Sequence, residues 1–188
     1  PRMDPFALSE PWRAHVRDAE EALSQFRATL TRTRSGPTRD RLTELEARVE
    51  ESVTDAWSVA QAGHDLAHGR SQIDTAQIQR ELEIARGQVA GAPPDQTATW
   101  EKTISALDAQ MTTTRRLDDL LRSTDAQLRL LNAQLDETVA KVIELSLRGN
   151  ASTEIAALGT ELDSITVEME ALRQALDVVD TPAASPGG

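Results

Sequence analysis

Two histidines one helical turn apart carry the only metal-like spacing in this chain. They are His64 and His68, in the run His64-Asp65-Leu66-Ala67-His68. Residues at i and i+4 share a helix face, so both imidazoles can reach one divalent cation. The metalloprotease motif has a glutamate directly after the first histidine to act as general base. Here that place holds Asp65, and no third ligand follows at a suitable spacing. The plainer reading is two imidazoles near a helix C-terminus, where they complement the dipole. His15 stands alone and reads as a surface residue. No metal or organic cofactor is expected.

Other catalytic constellations are missing from the sequence. There is no glycine-rich phosphate loop, no nucleophile elbow and no inward Glu-x-x-His pair of the kind di-metal bundles use. The chain has no Cys, which removes thiol catalysis, disulfides and cysteine-ligated metals. Glu20-Glu21 and Glu46, Glu50 and Glu51 fall between apolar stripe positions, as a solvated helix face requires. The chain therefore reads as a binding protein and not as an enzyme.

Charge points to proteins or membranes sooner than to nucleic acid. The net charge is −11, whereas generic nucleic-acid binding relies on cations that neutralise phosphates. The charge is uneven, however. Residues 27–41 hold Arg27, Arg32, Arg34, Arg39 and Arg41 against Asp40, while residues 150–188 hold seven acids against Arg173. Antiparallel packing of helical hairpins brings the Gly36 and Asn150 turns to one end. Arg32, Arg34, Arg39 and Arg41 then form a basic tip suited to an acidic partner or anionic lipid headgroups. The simpler role for such arginines is to satisfy helix C-termini.

The elements that position these groups follow from three mirrored stripes. Trp12, Val16, Ala19, Leu23, Phe26 and Leu30 mirror Leu42, Leu45, Val49, Val53, Ala56 and Ala60 about Gly36. Ile78, Leu82, Ala85 and Val89 mirror Trp100, Ile104, Leu107 and Met111 about Pro94. A third pair, running from Leu121 to Leu145 and from Ile155 to Val179, mirrors about Asn150. Each centre is a chain-reversing residue, so each stripe pair reads as a helical hairpin. Ser9 is the expected N-cap of the first helix. Asp74 with Gln77 forms a capping-box pattern, with Ile73 and Ile78 as its hydrophobic staple.

A helix without Gly or Pro is expected from about Asp95 to Arg148, roughly 80 Å long. Its stripe changes phase at Met111, Thr114, Leu117 and Leu121, a stammer that marks a change of partner. Two long hairpins can cover each other, and their leftover apolar flanks (Trp57, Val59, Leu120, Leu130, Ile143 and Leu147) must be buried between them. The hairpin about Pro94 is left over.

The expected fold is thus all-α: an elongated antiparallel four-helix bundle with a projecting two-helix coiled-coil arm. Residues 1–8 are a lead-in, 9–70 the first hairpin, 71–117 the arm, 118–180 the second hairpin, and 181–188 a disordered tail. On the arm, Trp100, Ile78, Leu82, Leu107 and Met111 are the candidate contact residues, for another protein or for a second copy. The pattern resembles, in architecture only, the coiled-coil scaffolds of bacterial envelope and division machinery. That resemblance implies a scaffold or adaptor role. The expected location is cytoplasmic, at the membrane periphery if the basic tip meets lipid or if an anchor precedes Pro1.

Overall fold

The computed structural model describes residues 4–148 and 152–180. Within them a short 3-10 turn, Pro5–Ala7, precedes five helices: α1 (Trp12–Arg32), α2 (Pro37–Ser71), α3 (Thr75–Val89), α4 (Pro94–Leu147) and α5 (Ser152–Asp180). No strand occurs among the described residues, and the all-α expectation holds. The expected Asn150 turn, the tail 181–188 and the side chain of Val179 lie outside the described residues. The chain divides into two compact units, one of residues 1–64 with 123–188 and the other of residues 65–122.

The first unit is a four-helix bundle whose helix order can be read from its polar bridges. Arg27 of α1 pairs with Glu46 and Glu50 of α2, at 2.7 and 3.0 Å. Arg48 of α2 reaches Asp163 of α5 at 2.7 Å. Gln127 and Lys141 of α4 meet Glu168 and Glu161 of α5. His15 of α1 meets Asp125 of α4 at 2.7 Å. The bridges close the ring α1–α2–α5–α4. Within each hairpin, rising numbers on one helix meet falling numbers on the other, so the hairpins are antiparallel.

The stripes about Gly36 are buried throughout, with Phe26, Leu42, Val49 and Ala56 fully enclosed. So are Leu128, Leu131, Leu135, Val139, Val142 and Leu145 of α4, and Ile155, Leu158, Leu162, Ile165, Met169 and Leu176 of α5. Each large aliphatic side chain so enclosed contributes about 1.5–3 kcal/mol. Gly36 has φ +151°, a conformation that side-chain-bearing residues rarely adopt, and this fixes the α1–α2 reversal at that position. Buried hydroxyls are satisfied within their own helices: Ser52 Oγ donates to the Arg48 carbonyl and Thr138 Oγ1 to that of Gln134, at 3.0 and 2.8 Å.

The structure corrects three expectations in this unit. Ser9 does not cap α1, whose N-cap is Pro11; the Ser9 hydroxyl lies 2.9 Å from His64 Nδ1 instead. His15 is not at the surface but 6% exposed, because it faces α4 rather than solvent. Of the leftover flank, Val59 is buried, but Leu130, Ile143 and Leu147 remain exposed. They stand off the α4 seam, and a closed ring of four helices covers only that seam.

The second unit comprises the end of α2, α3 and α4 up to Arg122. Its small core is Leu82, Ala85 and Leu107, with Ile78, Trp100 and Ile104 partly buried against it. The pairing of Leu82 and Ala85 with Leu107 and Ile104 follows the mirror about Pro94. Asp74 caps α3 as expected, its Oδ1 accepting from Gln77 N–H at 2.9 Å. The reciprocal half of the capping box is not made: the Gln77 amide donates to Glu81 at 2.8 Å. The unit begins before residue 71 and ends after residue 117 because Arg70 ties the last turn of α2 into it. Arg70 Nε and Nη2 donate to the two Asp118 carboxylate oxygens at 2.8 and 3.1 Å, and Nη1 to the Ile73 carbonyl at 3.2 Å.

Candidate functional site

In the second unit the helices α3 and α4 place the candidate contact residues in two groups. Leu82 and Leu107 are each 7% exposed, so they join the two helices and offer little to a partner. Ile78, Trp100 and Met111 are half-buried. Ile78 and Ile73 line a hollow of about 380 Å³ with Ala109, Gln110, Thr113 and Thr114. Ile84, 60% exposed on α3, was not anticipated. It is an isolated apolar residue off the stripe, and nothing in the periodicity marks it. Two helices bury only one seam between them, so large side chains at the seam edge keep part of their surface in water.

At the Gly36 end of the bundle, two of the four expected tip arginines, Arg32 and Arg34, line one hollow. This hollow of about 540 Å³ is lined by Arg32, Thr33, Arg34, Ser35, Gly36, Pro37, Thr38, Ser146, Leu147 and Arg148. The α1–α2 turn and the end of α4 therefore meet, as antiparallel hairpins require. Arg39 donates to the Thr33 carbonyl at 3.5 Å, and Arg148 pairs with Glu144 on its own helix. Arg41 sits farther along, lining a separate hollow between α2 and α5 with Arg48 and Gly159. Arg32 and Arg34 are exposed, and neither has an ion pair or side-chain hydrogen bond among the described residues.

The histidine pair is divided in role. His64 is half-buried and holds the lead-in segment, its Nδ1 also accepting from Ser9 N–H at 3.2 Å. His68 is exposed. Among the described residues no three His, Cys, Asp or Glu side chains gather as a metal site would need.

Sequence reasoning missed the polar groups inside the bundle. His15 Nε2 contacts Asp125 Oδ1, Arg129 Nε donates to Asp125 Oδ2 at 2.9 Å, and Asn132 Nδ2 donates to the His15 carbonyl at 3.1 Å. Burial pushes the Asp125 carboxyl up, but hydrogen bonds from Arg129 and His15 outweigh it and hold the group below its ordinary range. Asp55 goes the other way. Burial, then the charges of Glu51 and Glu170, raise it, and its Oδ2 is buried without a partner. Glu170 is lowered to about 2, chiefly by the hydrogen bond from Arg173 and then by that from Gln174. The only signal available in the sequence was a histidine at a position flanking Val16, and it carried no partner with it.

No described helix is long and apolar enough to cross a membrane. Compared with known proteins, the chain matches no family model, and neither a curated protein nor a solved structure shows significant similarity to it.

Proposed function

We propose that this chain is a non-catalytic helical scaffold or adaptor of the bacterial cell envelope or division machinery, working through protein–protein contacts. The observation that supports this reading is the second unit, where three buried residues form the core and Trp100, Ile104 and Ile78 are only partly covered. Partly exposed Trp on a thin helical hairpin is the kind of side chain that dominates binding energy when a partner completes its pocket. The seam edge has the geometry for a further helix, and a second copy of residues 73–117 supplies one. Light scattering across a concentration series tests this: the wild-type mass rises toward twice the monomer, and Trp100→Ala abolishes the rise. A constant monomer mass at high concentration, with unchanged binding by Trp100→Ala to any isolated partner, overturns it.

A further inference from the structure

The dipole account of the basic tip explains only part of it. Arg32 lies in the last turn of α1, where a cation is favourable. Arg34 lies beyond that helix, and Arg39 lies in the first turn of α2, where the helix dipole opposes positive charge. The last turn of α1 is in any case closed by Thr33, whose N–H and hydroxyl both donate to the Thr29 carbonyl at 3.1 and 2.9 Å. In a chain of net charge −11, the hollow between the α1–α2 turn and the end of α4 is lined by three arginines and no carboxylate. Of the acids close by in the chain, Asp40 follows Arg39, Glu144 is engaged by Arg148, and Glu154 stands in the first turn of α5; none of them lines the hollow. The second observation is apolar. Leu147 lines the same hollow and is 84% exposed.

We infer that this end of the bundle docks on an anionic lipid surface, with Arg32, Arg34 and Arg148 meeting headgroup phosphates and Leu147 entering the boundary with the acyl chains. The combination decides the occupant. Arginines around a hollow suit any phosphate, but a leucine held in water beside them gains only from a ligand with an apolar interior. The serine and threonine hydroxyls of Ser35 and Thr38 add donors at the same rim. The contact is a shallow one, so it is weak singly and sensitive to salt.

Flotation of the full chain with vesicles tests it. Phosphatidylcholine vesicles containing phosphatidylglycerol retain the protein, and pure phosphatidylcholine vesicles do not. Removing one arginine weakens partition about fivefold. The double charge reversal Arg32→Glu with Arg34→Glu abolishes it, Leu147→Ser weakens it without changing its salt dependence, and Arg80→Glu with Arg116→Glu, exposed on the other unit, leaves it intact. Circular dichroism confirms that the exposed-site variants stay helical. Three results overturn the inference: no retention of wild type on anionic vesicles, equal loss with the Arg80 and Arg116 control, or binding of inorganic phosphate alone at the hollow without vesicle retention.

Discussion

His15 Nε2 lies 2.7 Å from Asp125 Oδ1, joining α1 to α4 across the inside of the bundle. The contact fixes which face of the first hairpin meets the second, because the His15 carbonyl also accepts from Asn132, about two helical turns further along α4. A polar pair at the α1–α4 seam specifies register, since sliding either helix leaves the buried His15 ring unpaired.

Breaking that pair from one side is costly. Asp125→Ala leaves His15 buried without its partner and lowers unfolding free energy by about 1–3 kcal/mol. The double variant His15→Leu with Asp125→Leu recovers most of the loss, because no polar group is then stranded. Urea denaturation of the four members of the cycle measures this, and additive single-site losses would show that the pair is not coupled.

The two helix-interior glycines of the bundle respond oppositely to alanine. A Cβ at Gly63 would stand 2.6 Å from Trp12 Cζ3, and Trp12 is held at 3% exposure with little room to move. Overpacking makes Gly63→Ala destabilising by about 1–3 kcal/mol, against a helix-propensity gain of about 1 kcal/mol. At Gly159 the near atom is Arg48 Nη1 at 2.7 Å, the free end of a flexible side chain. Gly159→Ala is neutral or stabilising, since an exposed ion pair contributes at most about 1 kcal/mol. Thermal midpoints of the two variants therefore move apart.

Asp55 weakens the bundle at neutral pH. Its folded-state pKa is raised, so the native state favours the protonated acid, and its unfavourable contribution is present above that pKa and relieved as pH falls through it. Asp55→Asn raises the neutral-pH midpoint, and the advantage vanishes in acid. A variant equally stabilised at both pH values would contradict this.

Glu170 has the opposite sign. Its pKa is depressed to about 2, so its stabilising contribution is present above the ordinary carboxylate range and is lost as pH falls toward 2. Arg173→Ala returns the Glu170 titration toward that range and pushes Asp55 higher still, because Arg173 opposes the rise at Asp55. Carboxyl-carbon NMR titration reads both carboxylates in one experiment.

Leu107→Ala acts on a core with few other members. Loss of that side chain costs about 2–5 kcal/mol, and the buried cluster it belongs to, in the unit of residues 65–122, holds just Leu82 and Ala85 beside it. Amide exchange accelerates across α3 and the first part of α4, while α1 and α5 keep their protection.

The helices and their hairpin pairing were legible in the sequence. Trp12 through Leu30 and Leu42 through Ala60 alternate at helical spacing about a residue with positive φ, and both properties belong to a short stretch of chain. The same holds for Leu82, Ala85 and Leu107, and for the cap at Asp74. Periodicity gives the face a helix buries but not the polar partner that face will meet. His15 is buried because Asp125, more than a hundred residues away, is placed opposite it. Leu147 is exposed because ring closure covers one seam of α4 and no more, and Arg70 joins the second unit because Asp118 comes within reach. The chain by itself therefore determined the five helices and the reversals about Gly36 and Pro94, whose causes are local. The tertiary structure alone decided which polar groups are paired inside and which apolar ones are left in water, because those depend on contacts between distant segments.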